Sequence, residues 1–257
     1  TIVRETGPEV KRQSGERPMR NAVTLRRWND RVDLEVAGAS FSSWHPRLQM
    51  TGLAWDAITA ACLLRACGPP RTVLMLGLGG GTVARQLGVV SPGTRVTAVE
   101  MDEAVVAMAR EHMALDSLGV EIAIADAYDF VKRDRRRYDV VIDDLYVTGT
   151  EDVWRPRPPD GGLLAQYRRR LAPGGLVLVN LVTGRGHRRV QSMVRRAMAT
   201  AFGEVRSILP PEGMNEILAG GDRVLAGATL RGYAGCLGEA EDRAMWGRIR
   251  VRRLARG

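Results

Sequence analysis

The chain has 257 residues, of which 45% are hydrophobic and 26% are charged. This composition excludes disordered, collagen-like and coiled-coil proteins and is typical of a globular chain that buries a large core. No apolar run approaches the roughly 20 residues of a membrane-spanning helix, and no apolar segment follows the first charges, so we expect neither a membrane partner nor a signal peptide. The three cysteines and three histidines lack the spacing of a disulfide scaffold or a metal site, which predicts a cytoplasmic protein without a metal.

The net charge of +9 makes nucleic acid a partner to consider. Only Lys11 and Lys132 are lysines, however, so 36 of the 38 basic residues are arginines. Such a one-sided choice indicates a codon bias rather than a phosphate-binding surface, and no RNA-binding motif lies beside the arginine runs. We therefore do not favour nucleic acid as a partner.

The pattern divides the chain into four segments. They are a flexible arm, a small β-rich unit, a main domain and a partly helical C-terminal extension, at residues 1–20, 21–50, 51–222 and 223–257. The arm is polar and contains proline and glycine, which is typical of loosely attached termini. In the β-rich unit, Val32, Leu34 and Val36 alternate with polar residues, which predicts a half-buried strand.

Within the main domain, short apolar runs alternate with amphipathic stretches. After a first helix over residues 50–67, the apolar runs predict strands at 71–78, 94–100, 120–126, 138–144, 175–183, 204–209 and 214–219. Helices are predicted at 82–89, 102–115, 160–171 and 186–202. Nearly continuous apolar strands that alternate with helices are typical of an α/β fold with a parallel sheet covered on both faces.

A glycine-rich turn follows the first strand of this series. The apolar residues 73–76 run directly into Gly77, Gly79 and Gly81, and a predicted helix follows. Glycines in such a turn let a ligand approach the main chain, and the N–H groups at the start of a helix favour electron-rich ligand atoms. A nicotinamide-binding turn has a further glycine where this chain has Thr82, so we do not favour a nicotinamide cofactor.

Acidic residues stand at the ends of the next three strands. Glu100 lies about 20 residues beyond the glycines, where a carboxylate can accept hydrogen bonds from ribose hydroxyls. Asp126 and Ala127 follow the third strand and can bind adenine through a carboxylate and a backbone N–H. Asp143 and Asp144 end the fourth strand. Because ligands bind at the carboxyl ends of the strands in open parallel sheets, the pattern predicts a nucleoside site there.

Taken in order, these segments resemble the class I S-adenosylmethionine-dependent methyltransferase superfamily, and in particular its spermidine synthase-like branch. The matching stretches are VLMLGLGGGTVARQL, VTAVEMDEAVVAMAR, EIAIADAYDFV, YDVVIDDLY and LAPGGLVLVNL. The resemblance implies a doubly wound, mostly parallel sheet of seven strands, the last of them antiparallel. It also implies that S-adenosylmethionine binds and S-adenosylhomocysteine leaves, with the cofactor held by Gly77, Leu78, Gly79, Gly81, Glu100, Met101, Asp126, Ala127 and Asp144.

The chain departs from the polyamine-forming members of that branch. Those members carry one Asp within the glycine turn and another three residues beyond the strand-four Asp, and these places are Gly80 and Val147 here. The segment before the first strand also differs, reading LAWDAI. An amine that is alkylated must lose a proton, so the missing carboxylate removes the expected base. The departures predict methyl transfer, with S-adenosylmethionine preferred over its decarboxylated form.

The candidate catalytic residues are Asp144 and Tyr146. Asp144 is expected beside the reactive sulfur, where it would orient the acceptor and take its proton. Methyl transfer otherwise requires mainly alignment of the acceptor and exclusion of water.

Two segments are predicted to shape the acceptor pocket. The first is Ser42–His45 with Trp55 and Asp56, in which Trp44, His45 and Trp55 are candidate substrate-binding residues. The second runs from Tyr146 through Glu151 and Asp152 to Trp154, a candidate substrate-binding residue within a possible lid. The plainer interpretations are that the tryptophans pack in the core, that His45 holds a loop, and that the two loop acids are solvated.

We therefore predict an S-adenosylmethionine-dependent methyltransferase that acts on a nitrogen or oxygen of a small molecule. The alternatives are a polyamine aminopropyltransferase, an RNA or protein methyltransferase, and a non-enzymatic protein that keeps the cofactor as a structural element. The oligomeric state stays open between a monomer and a homodimer.

Overall fold

The computed structural model describes residues 3–6, 22–149 and 153–254, with the backbone alone for residues 3–6. A four-stranded antiparallel sheet precedes the main domain. Its strands are β1 (Val3–Thr6), β2 (Val23–Trp28), β3 (Arg31–Val36) and β4 (Ala39–Trp44). Residues 3–6 of the predicted flexible arm therefore differ from the prediction, because they pair with the edge of β2. The rest of that arm lies outside the described residues.

Strand β3 is buried on both faces, although its sequence predicts one solvated face. Val32, Leu34 and Val36 point into the core, as expected. Asp33 and Glu35 are also buried, and both carboxylates form ion pairs with Arg26. A shared arginine partner allows two acids to occupy positions from which water is excluded.

The main sheet has eight strands in the order β14-β12-β13-β11-β8-β5-β6-β7. The strands of the main domain are β5 (Thr72–Leu76), β6 (Arg95–Glu100), β7 (Glu121–Ile124), β8 (Tyr138–Asp143), the separate hairpin β9 (Val147–Thr148) and β10 (Val153–Trp154), β11 (Leu171–Val182), β12 (Glu204–Leu209), β13 (Asn215–Gly221) and β14 (Arg250–Arg253). Strands β7, β6, β5, β8 and β11 run parallel, and β13 is antiparallel to both of its neighbours. The predicted doubly wound α/β fold is thus confirmed.

Helices cover both faces of this sheet. They are α1 (Ala54–Cys62), α2 (Thr82–Val90), α3 (Glu103–His112), α4 (Ala127–Arg133), α5 (Gly161–Arg169), α6 (Arg188–Ala201) and α7 (Ala240–Gly247). One buried cluster joins the first three helices to the small sheet and to Trp246 of α7, and a second cluster packs α4, α5 and α6 on the opposite face. Within the described ranges, no helix is long and apolar enough to cross a membrane.

Further elements differ from the sequence predictions. The sheet has an eighth strand because β14, in the C-terminal extension, pairs with β12. Helix α4 was not predicted, since its seven residues are too few to show a clear helical period. The first helix is shorter than the predicted 50–67, because the N–H groups of Thr51 and Gly52 donate to the Asp56 carboxylate and form a turn before Ala54.

The buried Asp56 side chain holds this turn in place. Its carboxylate accepts hydrogen bonds from the backbone and hydroxyl of Thr51, from Gly52, and from Nε2 of Gln86 at 2.7 Å. Burial raises the pKa of Asp56, and these hydrogen bonds counteract that rise. The pocket segment predicted around Asp56 therefore belongs to the core, where it fixes the start of α1.

We predict that Asp56→Ala lowers the free energy of unfolding by at least about 2 kcal/mol, because it leaves several buried donors without an acceptor. Urea denaturation measures this change. Asp116→Ala is the control: it removes an exposed ion pair with Arg110 and should change stability by less than about 0.5 kcal/mol. Equal losses in the two variants would contradict this role for Asp56.

Candidate active site

The glycine turn connects β5 to α2 at the carboxyl edge of the main sheet. Gly77, Gly79 and Gly81 have φ values of +86°, +55° and +82°, in the left-handed region that favours glycine. A Cβ atom on Gly77 would lie 2.5 Å from the carbonyl oxygen of Asp144, because β5 and β8 are adjacent. The backbone of the turn therefore contacts the backbone of Asp144. This agrees with the expectation that both lie at the same edge of the sheet.

Every N–H group of the turn already has an acceptor within the protein. Gly77 donates to Val99 and Gly81 donates to Leu78, both to backbone carbonyl oxygens. The N–H groups of Leu78 and Gly79 donate to Oε2 of Glu100, at 3.2 and 3.1 Å, and that of Gly80 donates to Oγ of Ser42, at 2.5 Å. The turn thus offers no unused backbone donor between Gly77 and Gly81.

Both carboxylate oxygens of Glu100 accept hydrogen bonds from the main chain. Its Oε2 binds the glycine turn, and its Oε1 accepts hydrogen bonds from the N–H groups of Met101 and Asp102. A carboxylate has about four lone-pair sites, and all of them are engaged by the main chain. That Glu100 binds ribose hydroxyls stays a prediction, and the ribose would have to replace the N–H groups of Met101 and Asp102 at Oε1.

The small antiparallel sheet is attached to the glycine turn through β4. Ser42 accepts from Gly80, and Oγ1 of Thr82 both accepts from the N–H of Ser43 and donates to its carbonyl oxygen. A Cβ atom on Gly80 would lie 2.5 Å from Sδ of Met113 and 2.9 Å from Cβ of Ser42. This packing leaves no room for a side chain at Gly80.

Asp143 and Asp144 are adjacent in sequence but lie in different environments. The Asp143 side chain is fully buried, where Oδ1 pairs with Nη1 of Arg155 at 2.5 Å and Oδ2 accepts from the hydroxyl of Tyr167 at 2.9 Å. The carboxylate raises the pKa of Arg155, and its charge is balanced within the core. Asp143 therefore serves to hold the loop that carries Arg155.

Asp144 is half-buried and has no cation in hydrogen-bond contact within the described part of the chain. Its Oδ1 accepts from Nδ2 of Asn180 at 2.7 Å, and Oδ1 of Asn180 accepts from Nδ2 of Asn215 at 3.0 Å. Desolvation raises the pKa of Asp144 to about 6, and the charges of Asp143 and Glu100 add to the rise. A carboxylate with this pKa is ionised at neutral pH and can still accept a proton, which is the property of a general base.

The structure does not support a catalytic role for Tyr146. Its hydroxyl donates to the carbonyl oxygen of Asn180 at 3.1 Å and accepts from the N–H of Val182 at 2.8 Å. Its ring lies under the guanidinium of Arg155, with 4.7 Å between Cζ and the ring centroid. Both polar functions of the hydroxyl are thus used to attach the loop after β8 to β11.

Three of the four predicted substrate-binding residues are structural. Trp55 is buried in α1, and Trp44 packs against the same hydrophobic cluster, so the plainer interpretation holds for both. His45 holds a loop, since its Nδ1 accepts hydrogen bonds from the N–H groups of Arg47 and Leu48. Trp154, by contrast, is 52% exposed on the hairpin that follows Asp144. Glu151 and Asp152 lie outside the described residues.

The remaining predicted cofactor residues lie along the same sheet edge. Asp126 is exposed and caps α4, where its carboxylate accepts from the N–H of Asp129, and Ala127 is the buried first residue of that helix. Met101 follows β6 with 66% of its surface exposed. Their binding roles stay predictions.

Sequence reasoning missed Arg155, Tyr167 and Asn180. A signal existed for Asn180, because it is the one polar residue in the apolar run LVLVNLV of β11. No comparable signal marks Arg155 in a chain with 36 arginines. Its partner is 12 positions away, across a hairpin that the sequence does not predict.

Parts of the chain are similar to known proteins. Residues 58–153 match the spermine/spermidine synthase domain, a segment that includes the glycine turn, Glu100 and Asp144. This part of the chain is therefore similar to spermidine synthase domains. A polyamine aminopropyltransferase of Neisseria meningitidis is 30% identical over 169 residues, which cover 64% of this chain and 61% of that protein. Three such relatives are covered over 33%, 47% and 61% of their own length, so the chain spans only part of each.

Solved structures share the fold of this chain. A probable spermidine synthase from Corynebacterium glutamicum has a TM-score of 0.71 at 19% identity, and the alignment covers 95% of this chain and 92% of that one. Human methyltransferase-like protein 13, solved with S-adenosylhomocysteine, has a TM-score of 0.58 at 25% identity, with coverage of 70% and 88%. Because its identity is only 19%, the similarity to the Corynebacterium glutamicum protein shows a shared fold and nothing more.

The prediction of a small-molecule methyltransferase is wrong. The domain match is to spermine/spermidine synthases, and the curated relatives carry the name polyamine aminopropyltransferase. The prediction relied on the absence of two acids, at Gly80 and Val147. It gave these absences more weight than the retained Asp144, which was itself predicted from the sequence as a candidate base and whose pKa is raised in the structure.

We predict that the Asp144 carboxyl titrates with a pKa of about 6 and that Asn180→Ala moves this pKa higher. The Asn180 amide donates to the charged form, so its removal disfavours ionisation. Carbon-detected NMR of the carboxyl resonance against pH measures both values. Asn29→Ala, in the turn between β2 and β3, is the control and should leave the Asp144 pKa unchanged. An unchanged pKa in Asn180→Ala would show that burial alone sets it.

Proposed function

We propose that this protein transfers an aminopropyl group from decarboxylated S-adenosylmethionine to an amine. The domain match and the names of the curated relatives support this class of transferase. The structural observation that carries the proposal is the saturated glycine turn, in which all five N–H groups from Gly77 to Gly81 have protein acceptors.

The saturated turn favours a donor that lacks a carboxylate. S-adenosylmethionine carries an anionic carboxylate that requires N–H groups or a cation as partners, and an unpaired one would be costly to desolvate. Two of the turn's N–H groups instead bind Glu100, which adds negative charge beside the donor site. Decarboxylated S-adenosylmethionine has a sulfonium and an ammonium group and no anion, so this edge attracts it.

Asp144 is the proposed base. At neutral pH its carboxylate attracts the ammonium form of the acceptor and takes the proton that the amine must lose. Asn180 and Asn215 orient it through consecutive hydrogen bonds. The Arg155 guanidinium neutralises Asp143, so only Asp144 of the two adjacent acids presents an unbalanced charge to the substrate.

The adenosine part of the donor would lie against the ends of β6 and β7. Glu100 can exchange its Oε1 contacts with Met101 and Asp102 for ribose hydroxyls while its Oε2 stays on the glycine turn. Asp126 and Ala127 would bind the adenine, and the exposed Met101 would cover one side of it. The cytoplasmic location and the small-molecule acceptor are part of the same proposal.

We predict that the protein releases 5′-methylthioadenosine from decarboxylated S-adenosylmethionine and an amine, and that Asp144→Asn lowers the turnover rate by roughly 10²–10⁴-fold. Wild-type turnover should also fall as the pH drops through about 6, because protonated Asp144 cannot accept a proton. Single-turnover chromatography of the released nucleoside measures both effects.

The matched control is Asp116→Asn, an exposed acid that pairs with Arg110 and should keep wild-type turnover. Wild-type turnover in Asp144→Asn would remove Asp144 from the reaction. Failure of the wild type to release methylthioadenosine with any amine would refute aminopropyl transfer itself.

A further inference from the structure

Most of the net positive charge arises in one segment without acids. Residues 161–203 contain eight arginines and no lysine, aspartate or glutamate, so their charge is +8 in a chain whose net charge is +9. A codon bias accounts for arginine in place of lysine, but it does not account for the absence of acids. The segment forms α5, β11 and α6, and α5 packs beside α6 on one face of the main sheet.

The fold gathers arginines from separate segments at the amino edge of the main sheet, opposite the edge that holds Asp144. Strands β8 and β11 run parallel and begin at this edge, and β12 runs in the same direction. The end of β14 lies there too, because it pairs with the first half of β12. Six exposed arginines stand before β8, in the last turn of α5 and at the end of β14, and we call them the basic edge: Arg133, Arg135, Arg137, Arg168, Arg169 and Arg253.

Direct contacts connect the parts of the basic edge. The guanidinium of Arg137 donates to the carbonyl oxygen of the first residue of β11, directly after α5, at 3.0 Å. That of Arg168 donates to the carbonyl oxygen of Ala201 at 2.8 Å and lies over the ring of Phe202, with 5.6 Å between Cζ and the ring centroid. Phe202 and Arg253 line the same cavity of about 230 Å³. These contacts hold two guanidinium groups in place without neutralising them, because carbonyl oxygens and aromatic rings carry no net charge.

Four acids at this edge are in ion pairs with arginines outside the basic edge. The pairs are Glu121 and Asp134 with Arg136, Asp139 with Arg65, and Glu204 with Arg206. Asp222 is exposed after β13 and is followed by the exposed Arg223. The ion pairs between described residues include no member of the basic edge, so its charge is available to an anion.

The surroundings of the basic edge distinguish between classes of anionic partner. Among the described residues, the exposed large apolar side chains lie at the carboxyl edge, in the first half of α6 or in the small sheet, and they are Trp28, Met101, Ile124, Trp154, Met193 and Met214. A protein partner needs such side chains at the centre of an interface, and a membrane surface needs them for insertion. A single-stranded nucleic acid needs exposed aromatic rings for base stacking. A double-stranded nucleic acid needs only cations for its phosphates.

The length of the basic edge fits a duplex. From β8 to β14 the sheet order passes β11, β13 and β12, which is four strand spacings or about 19 Å. Each strand of a DNA duplex has one phosphate per about 3.4 Å of helix axis, so about five or six phosphates pass over this distance. Guanidinium groups bind phosphate oxygens in bidentate geometry.

On these observations we propose that the basic edge binds double-stranded nucleic acid through its phosphates. The binding has no sequence preference, because phosphate contacts carry no sequence information. The carboxyl edge with Asp144 faces away from the bound duplex and stays open to small molecules. This surface is independent of the proposed aminopropyl transfer, since it shares no residue with that site.

The test measures binding of a fluorescein-labelled DNA duplex of about 20 base pairs by fluorescence anisotropy over a series of salt concentrations. The wild type should bind with a Kd between about 10⁻⁴ and 10⁻⁶ M at physiological salt. Arg135→Glu/Arg169→Glu should bind at least about tenfold more weakly. The slope of log K against log salt concentration should fall in magnitude by about 2, because each lost phosphate contact removes about one unit of slope.

The matched control is Arg188→Glu/Arg189→Glu, which changes the net charge by the same amount within the same acid-free segment. These exposed arginines begin α6, and about 20 Å of helix separates them from the amino edge. At physiological salt this distance exceeds the screening length, so the control should keep the wild-type affinity. Both double variants should keep the wild-type melting temperature, because all four side chains are exposed.

Three results would overturn the proposal. One is that the wild type does not bind the duplex even at low salt. Another is that the two double variants lose affinity equally, since binding would then follow net charge rather than the basic edge. The third is tighter binding of the matching single strand, of polyglutamate or of vesicles that contain phosphatidylserine, which would assign the surface to a different partner. None of these results bears on the release of methylthioadenosine.

Discussion

The Glu100 carboxylate, hydrogen-bonded to the glycine turn, is the interaction on which the rest of the site depends. The turn needs glycines at positions 77, 79 and 81 because their φ values are positive, and this conformation directs its N–H groups toward neighbouring acceptors. Glu100 takes two of these N–H groups and Ser42 takes a third. One carboxylate thereby joins β6 to the turn after β5, and one hydroxyl joins the small antiparallel sheet to the same turn. In other nucleotide-binding folds, the N–H groups of such a loop bind an anionic group of the ligand. Here they donate to oxygen atoms of the protein.

Asp143 and Asp144 have the same side chain, but their different surroundings give the two carboxylates different roles. The pleat of a β-strand directs successive side chains to opposite faces. Asp143 meets Arg155 and Tyr167 within the core, where its charge stabilises the loop after β8. Among the described residues, the Asp144 carboxylate accepts a hydrogen bond from the amide of Asn180, and burial raises its pKa to about 6. The ion pair and the base therefore depend on each other, because the Arg155 charge also lowers the cost of ionising Asp144.

Prediction from the sequence was most successful where a residue pattern is compatible with only one kind of structure. Apolar runs broken by amphipathic stretches predict the parallel sheet, and acids at strand ends predict the edge at which they gather. It failed where contacts join distant positions. No local pattern shows that Tyr146 binds the backbone of Asn180 and Val182, or that Glu100 is occupied by the turn it follows. It also overweighted two missing acids, since the chain keeps the acid at the end of the fourth strand, Asp144.

The most direct test of this account measures donor affinity by titration calorimetry. Decarboxylated S-adenosylmethionine and S-adenosylmethionine are titrated into the protein at the same pH, with methylthioadenosine as the reference for the adenosine part. Because an unpaired carboxylate costs more than about 1.4 kcal/mol, the saturated turn predicts at least about tenfold tighter binding of the decarboxylated donor. Equal affinities, or tighter binding of S-adenosylmethionine, would contradict the account, since the turn would then have to release Glu100 or Ser42 to receive the carboxylate.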